Sequence, residues 1–225
     1  MRKIFEGEVV TILPAKSGII AVVVKERVGE QYVIAYQRYS FDTMQTEPVT
    51  RTAYLAGKFG ENFEICARQL KDHLTCFTVK LPENRILVVY PTGSAGILES
   101  DGTVSWHGDI LYQDHGPSDG ILVEDKIWFS FFQGNAVACY DIETMRYELR
   151  IGGGGETSDF VSPEGLWLSD VGTLISCNTV AHKIREIRLD TYEVDEFLGF
   201  EEPVYQYIKL SSIEVVRLQS GVYRL

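Results

Sequence analysis

The sequence repeats itself. Pro117-Ser-Asp-Gly-Ile-Leu-Val-Glu124 and Ser162-Pro-Glu-Gly-Leu-Trp-Leu-Ser169 each place an acid and then glycine at the head of an apolar run. The two acids, Asp119 and Glu164, stand 45 residues apart. Downstream, Cys139-Tyr-Asp-Ile-Glu-Thr144 matches Glu186-Ile-Arg-Leu-Asp-Thr191 at a step of 47. Upstream, Gly96 to Gly102 ends in an Asp-Gly turn at the equivalent place, and Asp101 precedes Glu143 by 42. A period of about 40 to 50 residues made of short strands is the pattern of a β-propeller, whose repeats bury their apolar faces by stacking on one another.

Alternation and turn residues divide each unit into four strands. In the third unit they fall near 119–124, 126–132, 135–142 and 145–151, and in the fourth near 164–169, 173–178, 182–189 and 192–199. The second unit runs near 75–81, 85–91, 95–100 and 103–107. Pro82-Glu-Asn84, Asp101-Gly102, Gln133-Gly134 and Val171-Gly172 mark the joins. The 225 residues hold five such units. The last stretch supplies three strands, 204–210, 212–217 and 221–225, and Lys3 to Leu13 reads as one strand without a nearby partner. Set beside 221–225, that N-terminal strand closes the ring and removes an exposed sheet edge. The expected fold is therefore all-β: a single five-bladed propeller domain, 1–225, of four-stranded antiparallel blades. Blades are expected near 14–60, 74–109, 117–152, 162–200, and 203–225 joined by 1–13.

One stretch breaks the pattern. Phe63, Cys66, Ala67, Leu70 and Leu74 follow helical spacing. A short helix near 61–73, inserted between blades one and two, is the favoured reading. The rival places the outer strand of blade one at 63–70.

Composition narrows the partners. The chain has 21 Lys and Arg against 32 Asp and Glu, a net charge of −11. Phosphate contacts need clustered cations, so nucleic acid and anionic membrane surfaces are poor partners. The longest apolar run, Gly18 to Val24, is far short of the roughly 20 residues of a membrane helix. Glu6 and Glu8 interrupt any signal-peptide core, and the four widely spaced cysteines lack a C-x-x-C. The chain reads as cytoplasmic, with Cys66, Cys76, Cys139 and Cys177 reduced and mostly buried.

The Pro-x-(Asp/Glu)-Gly motif, followed by an apolar strand, a turn and a second strand, resembles the NHL-repeat and gluconolactonase-like (senescence-marker-protein) propellers, mainly over residues 74–203. That resemblance implies acidic and amide residues at the channel mouth that hold a divalent metal, with one acid acting as base. Asp119 and Glu164 match those positions and would take Ca²⁺, Mg²⁺ or Mn²⁺. The Pro-Asn-Gly form usual in gluconolactonases is absent, and Pro14-Ala-Lys-Ser-Gly18 stands where the first blade's acid would be.

A propeller channel is lined by the first strand of each blade, so the residues where those strands begin form a ring. Blade by blade they are Lys16 or Ser17, Asp72 or His73, Asp119, Glu164, and Tyr205 or Gln206. His115 adds an imidazole close to Asp119. Convergent polar groups in a concave opening make a binding site. The alternative is that Asp119 and Glu164 accept backbone amides and fix the turn into the strand. Gly152-Gly-Gly-Gly155 lacks the Gly-Lys-Ser/Thr ending of a phosphate loop and reads as a connection over the same face. Three functions compete: a module binding a small molecule, glycan or peptide; a metal-dependent hydrolase; and a protein-interaction scaffold.

Overall fold

A computed structural model describes residues 1–29, 31–70, 74–154 and 159–225, less the side chains of 61, 65 and 69. Five four-stranded antiparallel sheets form a ring of five blades. Blade one comprises β2 (Val9–Ala15), β3 (Gly18–Val28), β4 (Gln31–Ser40) and β5 (Gln45–Val49). Two helices follow, α1 (Arg51–Phe59) and α2 (Phe63–Gln69). Blade two has β6 (Phe77–Leu81), β7 (Arg85–Val89), β8 (Ser94–Leu98) and β9 (Val104–Asp109); blade three has β10 (Asp119–Val123), β11 (Lys126–Phe131), β12 (Ala136–Asp141) and β13 (Arg146–Gly152). Blade four has β14 (Pro163–Leu168), β15 (Leu174–Asn178), β16 (Lys183–Ile187) and β17 (Val194–Gly199). In blade five, β18 (Val204–Leu210), β19 (Ile213–Leu218) and β20 (Gly221–Arg224) are completed by β1 (Arg2–Glu6), which pairs with β20.

The ring closes through its N-terminus, as the sequence predicts. One part of that expectation is corrected. Residues 3–13 are two strands, not one: β1 ends blade five, and β2 opens blade one after a turn at Gly7, whose φ of +80° favours glycine. Blade one's inner strand is therefore 9–15, and the run from Gly18 is its second strand. The helical insertion is present and begins earlier than its apolar pattern indicates. Thr50 caps α1 by accepting the Ala53 amide at 3.2 Å, and Gly60, at φ +65°, ends it.

Four apolar cores lie directly between successive blades, five to one, two to three, three to four and four to five. The fifth, between blades one and two, includes Tyr54, Leu55, Phe59 and Cys66 of the helices, so the helical pair is a wedge in the ring. Around the axis β6 packs on β10, β10 on β14, β14 on β18 and β18 on β2. The gap from β2 to β6 is filled by α1, which packs on β2 and accepts Thr78 Oγ1 of β6 at the Lys58 carbonyl, 3.2 Å.

The glycines of the repeat have a packing reason. A Cβ on Gly120 would stand 2.7 Å from the Phe129 ring, and one on Gly165 would stand 2.5 Å from the Tyr205 carbonyl. The acid-Gly signature therefore marks where an inner strand comes closest to its neighbours. No helix among the described residues is long and apolar enough to cross a membrane.

Candidate functional site: the channel mouth

The five inner strands begin on one face, called upper here, and each presents an edge to the axis that no strand pairs. Asp119, Glu164, Gln206 and Arg217 converge there around an opening of about 160 Å³, beside Thr11, Thr75 and Ser118.

Asp119 lies at the head of β10. Its Oδ1 accepts the Gly120 amide and its Oδ2 accepts the Leu166 amide of the next blade, each at 2.9 Å. Burial is the main influence on this carboxyl and pushes its pKa up to about 7. The two amides oppose the rise, Glu164 adds to it and Lys58 opposes it. Part of the side chain still meets the channel. Glu164 accepts Arg217 Nη2 at Oε1 and Thr179 Oγ1 at Oε2, both at 3.1 Å. Burial raises its pKa too, against the pull of Arg217. Arg217 is a cross-strand neighbour of Gln206 on β19, with its side chain 10% exposed. It donates Nε to Gln206 Oε1 at 2.9 Å and Nη1 to the Val9 carbonyl at 3.0 Å, and lies 4.4 Å from the centre of the Tyr205 ring. Gln206 also accepts the Ile12 amide at 3.0 Å and Thr11 Oγ1 at 3.3 Å.

These bonds share a plan. The inner strands β14, β18 and β2 each carry a bulge, at 163–166, 204–206 and 9–11. A bulge takes a carbonyl out of the ladder, and an orphaned carbonyl is costly. The preceding blade supplies the partner: Ser130 Oγ for the Glu164 carbonyl, Thr179 Oγ1 for that of Val204 (3.1 Å), and Arg217 for that of Val9. Asp119 and Gln206 likewise accept amides of the next inner strand. At the wedge, Lys58 Nζ donates to the Cys76 carbonyl. The mouth is a belt of staples between blades.

Of the residues expected at the ring, the structure brings Asp119, Glu164 and Gln206 together. Tyr205 lies behind Arg217 as its stacking platform. Lys16 is a correction: because β2 is the inner strand, Lys16 falls in the β2–β3 turn on the lower face, where its carbonyl accepts Arg38 Nη2 at 2.6 Å. His115 is exposed in a small loop bridge with Tyr112 and does not line the mouth. Asp72 and His73 lie outside the described residues, as does the end of the glycine run from Gly155. Arg217, Thr179, Ser130 and Lys58 were not legible as site residues. The available signal for Arg217 was one cation inside the apolar strand Ile213–Leu218; for Lys58 it was a cation on the buried face of α1.

Among the described residues, no three His, Cys, Asp or Glu side chains group as a metal cage. All four cysteines are buried free thiols, and burial raises Cys66 and Cys139 to about 11. His107, on an outer strand, bonds Tyr140 Oη through Nε2 at 3.0 Å.

No protein-family model matches the chain, and no curated protein matches it. Solved structures do. Virginiamycin B lyase from Staphylococcus aureus superposes with a TM-score of 0.53 at 10% identity, covering 95% of this chain and 64% of that one. A structural-genomics protein of unknown function from Bacteroides thetaiotaomicron gives 0.59 at 9% identity, covering 92% and 56%. The WD40 β-propeller domain of Doa1 gives 0.54 at 11% identity, covering 97% and 63%. The chain thus spans under two thirds of the length of these structures. At such identities the likeness establishes the β-propeller and nothing finer. The propeller implied by the NHL and gluconolactonase resemblance is present, while no sequence match places the chain in either family.

Proposed function

We propose that the protein is a binding propeller that takes a small polyhydroxylated molecule, a sugar or the end of a glycan, at the upper mouth of its channel. One observation carries this reading: donors and acceptors converge at a concave opening, where two carboxyls and one guanidinium stand among hydroxyl and amide groups. Asp119, with a pKa of about 7, both donates and accepts near neutrality. Threonine and serine hydroxyls at the rim do the same. A hydroxyl-rich ligand needs that mixture. Propellers in general serve as binding and interaction modules, and the fold agrees with that broader role.

The metal reading is weaker on physical grounds. Both Asp119 oxygens and Glu164 Oε1 already accept hydrogen bonds, Thr179 Oγ1 shares its one hydrogen between Glu164 Oε2 and the Val204 carbonyl, and the Arg217 guanidinium stands where a dication would neutralise Glu164. A metal-free hydrolase keeps one supporting fact, because a carboxyl with a pKa of about 7 suits a general base.

The test is a titration of ¹⁵N-labelled protein with a panel of monosaccharides and short glycans. Saturable shifts confined to the amides of Thr11, Thr75 and Ser118 are expected. Silence at these amides with every sugar up to about 10 mM, a Kd limit of about −3 kcal/mol, would end the sugar reading. A parallel melt of chelator-stripped protein with Ca²⁺, Mg²⁺ and Mn²⁺ should show no stabilisation; a shift that vanishes in Glu164→Gln would restore the metal.

A further inference from the structure

A groove of about 790 Å³ opens between blades three and four on the lower face, away from the mouth. Three turns form its rim: 124–125 joins β10 to β11, 169–173 joins β14 to β15, and 188–193 joins β16 to β17. Its floor is apolar. Trp128 and Cys139 lie there, 5% and 7% exposed, beside Leu168 and Leu189. The Tyr192 ring stands over that floor, 46% exposed and 6.4 Å from the Trp128 ring centre. The Trp128 indole N–H meets no acceptor among the described residues, yet it is not sealed from water, so it opens into the groove that the residue lines. The rim is acidic. It carries Glu124, Asp125, Glu148 and Asp190 against Lys126 and Arg188, and both cations are already committed. Lys126 Nζ bridges Asp141 at 2.6 Å and Glu148 at 2.9 Å, and Arg188 Nη2 bridges Glu193 at 2.9 Å and Asp195 at 2.8 Å. Glu124, Asp125 and Asp190 are exposed and make no ion pair among the described residues.

We propose that this groove docks a basic, extended peptide segment of another protein. An apolar side chain of the segment rests on Trp128 and Tyr192, one of its carbonyls accepts the Trp128 indole N–H, and lysines or arginines on either side meet Asp125 and Asp190. Charge complementarity selects the partner. The carboxylates left without a cation stand on two blades, Glu124 and Asp125 on one side of the groove and Asp190 on the other. A partner that satisfies both sides needs cations flanking an apolar centre. The exposed face of Tyr192 adds a surface on which an ammonium or guanidinium can lie. The groove is remote from the channel mouth, so this docking stands whether or not a sugar binds there.

The experiment titrates the ¹⁵N-labelled full chain with the acetylated, amidated hexapeptide KRLLRK, and with QQLLQQ, KRSSRK and spermine as controls. Saturable shifts are expected at the Trp128 indole N–H and at the Asp125, Gly172 and Tyr192 amides, with Thr11 and Ser118 unmoved. QQLLQQ should bind at least about tenfold more weakly, since the charge pairs are lost. KRSSRK and spermine should each bind several-fold more weakly, because neither covers the apolar floor. Raising NaCl from about 50 to 500 mM should weaken KRLLRK several-fold. The double variant Asp125→Asn, Asp190→Asn should weaken it by a similar factor, and Trp128→Phe should weaken it by removing the donor while keeping a ring. Both aspartates are exposed turn residues, so the double variant keeps the proposal testable if Trp128→Phe does not fold. Equal binding of KRLLRK and QQLLQQ, spermine shifting the same signals as tightly, affinity unchanged in the double variant, or no saturable shift up to about 1 mM peptide would each overturn it.

Discussion

Asp119 shows how one side chain ties stability to the site. Its two oxygens join β10 to β14, and its confinement favours the neutral acid. In the unfolded chain the same carboxyl ionises near its ordinary value of 3.8. Between that pH and about 7 the folded state holds a proton that the unfolded state has released. Stability therefore falls as pH rises through this window and is fully reduced above it. Asp119→Asn has no proton to hold. Relative to wild type, the variant should gain on the order of a few kcal/mol between about pH 4 and pH 8, beyond a constant loss for the acceptor that Asn lacks. Urea unfolding across that range measures the difference, and two parallel curves would refute the burial of this acid. Glu164 slopes the same way, and because it is coupled to Asp119 the difference between the two proteins belongs to the pair.

The strands show what holds the blades to one another. β1 lies in the core through Phe5, 2% exposed, and covers the edge of β20. Deleting residues 1–7 removes that cover and leaves β2 whole. The truncated chain should melt lower by an amount in line with the roughly 3–5 kcal/mol of a lost core phenylalanine, and should self-associate through the bare edge. An unchanged melting temperature by circular dichroism would deny the closure. Ser130→Ala tests the staples separately. It leaves the Glu164 carbonyl at the β14 bulge without its donor, an expected loss of about 1–3 kcal/mol. Legibility varied along the chain for reasons visible in these same elements. Blades three and four were readable to within two residues because short strands end at Gly, Asn and Asp turns. Blade one was not. Its strands β3 and β4 run to 11 and 10 residues, and only Gly7 and Glu8 separate β1 from β2. In the site, Asp119 and Glu164 announce themselves through the repeat. Arg217 reaches Val9 across 208 residues, a pairing that exists only once the ring is closed.

At the scale of the molecule, the ring is held by unlike joints that must all be made together. Two strands from opposite ends of the chain share blade five, polar staples join neighbouring blades, and a helical wedge fills the gap between blades one and two. In an open solenoid each repeat adds its own stability and can unfold from an end. A closed ring offers no free end, so opening any joint exposes two apolar faces at once. The wedge is the joint furthest from propeller regularity, and it tests this view most sharply. Phe59 is fully buried between blades one and two. Phe59→Ala should cost about 3–5 kcal/mol. If the wedge is part of the ring, that loss must lower the stability of every blade. The tryptophans report from different sheets: Trp106 on β9 of blade two, Trp128 on β11 of blade three and Trp167 on β14 of blade four. Tryptophan fluorescence and far-ultraviolet circular dichroism should therefore give one coincident thermal transition in wild type and, at a lower temperature, in the variant. A variant that melts in two steps, with the Trp128 and Trp167 signals left at the wild-type temperature, would show that blades three to five stand without the wedge.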